Sequence, residues 1–226
     1  MRFDAVLFDC DGVLVDSEPI TNGVLRQMLN EAGWGLSAAE CEHHFIGRAV
    51  RDQRALIEAE TGQPLTEDWM RAFYARRNQR LMAELQAVVG ALDAVVEAHA
   101  HTAGRIACAS GADRPKVVMQ IGMAGMAPYF GERIFSGHDL PRSKPHPDVY
   151  LAAADHLGVD PARCLVIEDT ATGAQAGLAA GATVWGYCQH GDGRAFAGLP
   201  VARVMYHMGE VARHLAAADP AGPTAP

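Results

Sequence analysis

Five short runs rich in branched and aromatic residues recur along this chain, each followed by a stretch with helical spacing. They are AVLFD (5–9), RIACAS (105–110), RIFSG (133–137), CLVIED (164–169) and TVWGYC (183–188). Strands alternating with helices are the pattern of a parallel sheet, because parallel neighbours need a crossover connection rather than a tight turn. Between the first two runs the chain inserts a long segment with helical patterns near 17–33, 37–44, 49–61 and 66–88. Its first helix has Ser17 as a candidate N-cap, Pro19 just inside, and Ile20, Val24, Leu25, Met28, Leu29 and Ala32 at helical spacing before Gly33 and Gly35 close it. The expected organisation is an α/β core from 1–14 and 90–216, a four-helix insertion at 15–89, and a disordered tail at 217–226.

In open parallel sheets, ligands gather beyond the carboxyl ends of the strands. Asp9 and Asp11 follow the first run, Ser110 and Gly111 end the second, and Glu168 and Asp169 end the fourth. Two carboxylates one residue apart repel each other unless something positive stands between them, and a metal ion is the simplest answer. Each feature alone has an ordinary explanation. "DG" is a common turn, an acidic pair before a helix answers its dipole, and Ser110 could be a helix N-cap. The strand-end placement shared by both acid pairs favours a metal site.

Only two of the 19 basic residues, Lys116 and Lys144, are lysine. A chain that meets surface charge with arginine has a reason to place Lys144 between Ser143 and Pro145. A compact ammonium can reach a carboxylate where a planar guanidinium would not fit.

A net charge of −8 disfavours nucleic acid or an anionic membrane as partner. No apolar run approaches the roughly 18–20 residues of a membrane span, and MRFDAVLFD is too short and too soon acidic for a signal peptide, so a cytoplasmic protein is expected. Cys10, Cys41, Cys108, Cys164 and Cys188 form no CxxC pair, and the ten histidines, His43 with His44 and His99 with His101 among them, form no HExxH set. Neither a P-loop nor a GxGxxG fingerprint is present.

DxDGV after the first strand, ASGA after the second, SKPHPDVY before a helix and VIEDTATGAQAG after a later strand stand in this order over nearly the whole chain. Together they resemble the four motifs of the haloacid dehalogenase superfamily, in particular its phosphatases with a helical cap after the first motif. Within it, the chain resembles the neighbourhood of the 6-phosphogluconate phosphatases and β-phosphoglucomutases. The resemblance implies a Rossmann-like parallel sheet core with an inserted four-helix cap. It implies Asp9 as nucleophile, forming an aspartyl-phosphate, and Asp11 as general acid and base. Ser110, Gly111 and Lys144 would hold the phosphoryl group. Mg²⁺ would be bound by Asp9, the Asp11 backbone carbonyl and Asp169, with Glu168 standing behind them.

Within the cap, Trp69, Met70, Phe73, Tyr74 and Leu81 spread across one helix face with Arg77 near its middle. Either Arg77 snorkels or pairs with Glu84, or Arg77, Asn78 and Arg48 read the far end of a substrate. The absence of lysine from residues 15–91 argues against Schiff-base phosphonate cleavage. Thr21 and Val50 stand where sugar phosphomutases of this family commonly carry histidine and arginine. The expected function is therefore hydrolysis of small phosphate esters, sugar or sugar-acid phosphates. A phosphomutase and a non-catalytic metabolite-binding scaffold are the alternatives, and the oligomeric state is left unassigned.

Overall fold

The computed structural model describes residues 3–45, 48–189 and 191–218. They divide into two units, Met1–Val15 with Ala87–Pro226, and Asp16–Gln86. In chain order, β1 (Ala5–Phe8) leads into α1 (Glu18–Glu31), α2 (Ala38–Phe45), α3 (Arg54–Thr61) and α4 (Glu67–Glu84). The first unit resumes with α5 (Ala91–His101), β2 (Ile106–Ser110), α6 (Arg114–Met123), α7 (Ala127–Phe130), β3 (Ile134–Ser136) and α8 (Asp148–His156). It continues through β4 (Cys164–Glu168), α9 (Ala171–Ala179), β5 (Thr183–Tyr187), β6 (Arg203–Met205) and α10 (Gly209–Ala218). The last helix runs two residues into the stretch read as a tail, and residues 219–226 lie outside the described residues.

The six strands form one wholly parallel Rossmann-like sheet in the order β3-β2-β1-β4-β5-β6. Every residue of β1, β2 and β4 is buried, as expected where helices cover both faces of a parallel sheet. Ala5, Leu7, Ala107, Ala109 and Val166 belong to one core cluster with Val149, Tyr150 and Ala153 of α8 and Ala174 and Ala176 of α9. The sequence reading found five of the strands. It missed β6, a three-residue edge strand with only Met205 buried, too short to show a period.

The helical unit has a core of its own, built from Val24, Leu25, Met28 and Leu29 of α1, Cys41 and Phe45 of α2, Ile57 of α3, and Met70 and Phe73 of α4. Ser17 stands at the N-cap position of α1, but its side chain makes no capping bond. Thr66 does cap α4, accepting from the Trp69 N–H at 3.1 Å. No helix among the described residues is long and apolar enough to cross a membrane.

Candidate active site

Strand register assembles the site. Phe8 is aligned with Cys108 on one side and Ile167 on the other, so the next residue, Asp9, falls beside the carboxyl ends of β2 and β4. These ends flank the position where the strand order reverses, the usual binding crevice of such sheets. Lys144 reaches the same point from the loop before α8. Its ammonium donates to Asp9 Oδ1 at 2.5 Å, Glu168 Oε1 at 2.6 Å and the Ala109 carbonyl at 3.0 Å, and lies 4.8 Å from the centre of the Tyr150 ring. All three ammonium protons are thereby used on protein acceptors.

Glu168 is 1% exposed and accepts five bonds. Oε1 takes Lys144 and the Tyr150 hydroxyl at 2.8 Å; Oε2 takes the Asp169 and Thr170 N–H groups and the Thr170 hydroxyl at 3.0–3.1 Å. Ligand oxygens of Asp9, Glu168 and Asp169 all lie within 4.8 Å of one another. Hard carboxylate oxygens so clustered suit Mg²⁺. Because Glu168 already fills its roughly four lone-pair sites, the carboxylates suited to a cation are those of Asp9 and Asp169. The glycine of the DG pair makes room for this. Gly12 has φ +78°, and a Cβ there would come within 2.0 Å of Asp169 Oδ2.

A second glycine brings α9 against the buried carboxylate. A Cβ on Gly173 would stand 1.7 Å from Glu168 Oε1, so Gly173→Ala must displace either Glu168 or the helix. The expected cost is about 1–3 kcal/mol of stability, read as a lower urea midpoint at unchanged m-value. A midpoint equal to the parent's would show that α9 yields freely.

Burial pushes the Asp9 carboxyl up to about 7; the Lys144 charge opposes this, while Glu168 and Asp11 add to it. Burial also works against the Lys144 ammonium, but Asp9 and Glu168 hold it charged well above its ordinary range. Glu168 moves the other way. Burial alone would raise it, yet Lys144, the Thr170 N–H and the Tyr150 hydroxyl bring it below the usual carboxylate range. The firm ion pair is thus Lys144 with Glu168, leaving Asp9 as the carboxylate whose charge a cation would stabilise.

Asp11 also bonds to side chains outside this cluster. Its carboxylate accepts from Lys116 Nζ at 2.7 and 2.8 Å and from Gln120 Nε2 at 2.9 Å, both on α6. Ser110 is buried and its hydroxyl accepts from the Ala112 N–H at 3.0 Å. It does not cap the following helix; Asp113 does, accepting from the Lys116 N–H at 3.1 Å. Gly111 follows Ser110, half-buried in the same turn. In the helical unit, Arg48 is exposed, whereas Arg77 is 5% exposed with its guanidinium 4.7 Å from the Tyr74 ring centre and donating to Asn78 Oδ1 at 2.9 and 3.1 Å. Both oxygens of Glu84, the partner considered for Arg77, accept from Arg80. The structure brings Lys144, Glu168 and Asp169, all selected from the sequence, beside Asp9, and adds Lys116, Gln120 and Tyr150, which were not selected.

Residues 3–181 match the model of the haloacid dehalogenase-like hydrolases. The chain belongs to this family. The haloacid dehalogenase-like hydrolase described here is 34% identical over 188 residues to the 6-phosphogluconate phosphatase of Escherichia coli K12, covering 83% of each chain. Among solved structures it is similar to a family hydrolase from Deinococcus radiodurans with bound phosphate and sodium, at TM-score 0.78, 36% identity and 96% coverage of both chains. It shares its fold with a β-phosphoglucomutase-like protein from Thermotoga maritima, at TM-score 0.77, 21% identity and coverage of 96% and 99%.

Proposed function

We propose that this hydrolase is a Mg²⁺-dependent phosphatase of small phosphorylated metabolites, sugar or sugar-acid phosphates, acting through an aspartyl-phosphate on Asp9. The observation that carries the reading is the Lys144 ammonium bonded to both Asp9 and Glu168, with Asp169 in the same carboxylate cluster. Asp9 is the nucleophile: one carboxylate oxygen bonds to phosphorus as the ester P–O bond breaks, and Asp11 gives its proton to the leaving oxygen. A water oxygen then bonds to phosphorus as the Asp9–phosphorus link breaks, and Asp11 takes the water's proton, so inorganic phosphate leaves and both aspartates return to their starting states. Lys144 offsets the negative charge that gathers around Asp9, and Ser110 with the Gly111 N–H holds phosphoryl oxygens. Mg²⁺ held by Asp9, Asp169 and the Asp11 carbonyl would neutralise the phosphoryl group for attack by an anion.

The similarity to a 6-phosphogluconate phosphatase supports the sugar-acid end of the substrate range. Arg48, Arg77 and Asn78 are proposed to contribute to substrate recognition. Arg77→Ala is expected to raise KM for the preferred substrate about tenfold, while a lower Tm with unchanged KM would assign Arg77 to packing alone. The whole reading is tested by following phosphate release from a panel of sugar, sugar-acid and polyol phosphates, in chelator and after adding Mg²⁺. Release that requires Mg²⁺ supports it. Isomer interconversion without release would make the protein a phosphomutase, and Mg²⁺-dependent binding without turnover a scaffold.

A further inference from the structure

The only two lysines in the sequence end on the two aspartates of the DxD pair, one each: Lys144 on Asp9 and Lys116 on Asp11. Lys116 is no surface charge that happens to fall near a carboxylate. It is 5% exposed, and the ammonium bonds both oxygens of Asp11. Gln120, fully buried, stands four residues further along α6 and so on the same helix face. Its amide has a defined orientation. The Cys10 thiol donates to Oε1 at 3.6 Å, which turns Nε2 toward Asp11 Oδ1 at 2.9 Å. The Asp113 cap in turn fixes where α6 begins, and with it the height at which Lys116 and Gln120 stand.

Two donor groups on one rigid helix therefore hold a side chain that follows a strand by only a few residues. A buried lysine and a buried glutamine are costly to keep unless both are bonded, and each finds a partner in Asp11. We propose that Lys116 and Gln120 are positioning residues for Asp11, holding its carboxylate at the place from which it exchanges a proton with the leaving oxygen and the attacking water. The inference rests on the reading of Asp11 as the acid-base residue. It adds α6 to the machinery: the helix after the second strand sets the acid-base group, while the loop before α8 sets the nucleophile.

The test compares kcat/KM for two substrates, an alkyl phosphate whose alkoxide leaves poorly without a proton and p-nitrophenyl phosphate, whose leaving group needs little help. Lys116→Met and Gln120→Leu are each expected to lower the alkyl phosphate value by on the order of 10- to 100-fold, and the aryl value much less. Asp11→Asn should show the same dependence on leaving group. Lys116→Met should cost little more when added to Asp11→Asn, since a misplaced acid cannot be lost twice. Equal losses on both substrates for the α6 variants, or losses that add to that of Asp11→Asn, would overturn the positioning role while leaving Asp11 as the acid. If Asp11→Asn itself lowers both substrates equally, the acid role falls and the inference with it. Gln120→Leu, nearly equal in volume, keeps the test open should Lys116→Met fold poorly.

Discussion

Asp9→Asn is expected to lower phosphate release by on the order of 10⁴-fold or more, leaving a folded protein whose metal-free stability has lost the share of its pH dependence that Asp9 supplies near neutrality. An amide is a poor nucleophile and a weak ligand for a hard cation, so attack and metal binding fail together. The stability effect follows from the raised carboxyl. Burial, with the charges of Glu168 and Asp11, lifts Asp9 from 3.8 to about 7 against the pull of Lys144. Between those values the folded chain holds a proton that the unfolded chain has released. The stabilisation is therefore complete below the lower value and is lost as pH rises through the higher one. Thermal melts in chelator at pH 5 and pH 8 should show the parent protein losing stability that the Asn variant keeps, and Mg²⁺ should restore the parent alone. Activity above a few per cent of the parent's would rule out Asp9 as nucleophile. An equal fall with pH in both proteins would clear Asp9 of the stability effect.

Lys144→Met is expected to cost about 3–5 kcal/mol of stability, beyond the loss of turnover, because it strands a buried anion. Glu168 is 1% exposed and owes its ionised state first to the Lys144 charge and then to its hydrogen bonds. Without the ammonium, burial prevails and the carboxyl must take up a proton or find water. For a chain of this size the loss corresponds to a Tm lower by roughly 6–20 °C. Adding Glu168→Gln should recover part of it, since the neutral amide keeps the shape without the stranded charge. Lys116→Met should cost less, because the Asp11 side chain is 22% exposed and water can replace part of what is lost. Equal costs at the two lysines, or a loss below about 1 kcal/mol at Lys144, would show that the Lys144–Glu168 pair is not what supports the strand ends.

Much of the site was legible because its chemistry is tied to strand ends. Asp9, Ser110, Glu168 and Asp169 each stand at the end of a readable apolar run, and parallel pairing brings those ends together without knowledge of any side-chain contact. Lys144 was legible through scarcity, as one of two lysines in a chain that otherwise uses arginine. The same scarcity pointed to Lys116, but a lysine inside the helical pattern RPKVVMQIGM reads as solvated charge until α6 is packed against the sheet. Tyr150 stood inside the quoted SKPHPDVY run, yet its hydroxyl bond to Glu168 spans 18 residues and leaves no local mark. The apolar stripe around Arg77 was visible from its period; that the guanidinium lies over Tyr74 and beside Asn78 was not, since snorkelling and stacking share one spacing.

The register of β1 bears on the order in which the candidate site forms. Phe8 pairs with Cys108 on one side and Ile167 on the other, while the residues between include a complete helical unit with its own apolar core. At roughly 5–20 residues per second, ribosomal synthesis leaves the first strand without its β4 neighbour for about 8–30 s. During that interval helices can close on local contacts, whereas the sheet must wait for partners far along the chain. Asp9 and Asp11 are thus synthesised long before Lys116 and Lys144, and the positive charges that make them tolerable in a buried setting arrive only as the sheet closes around them.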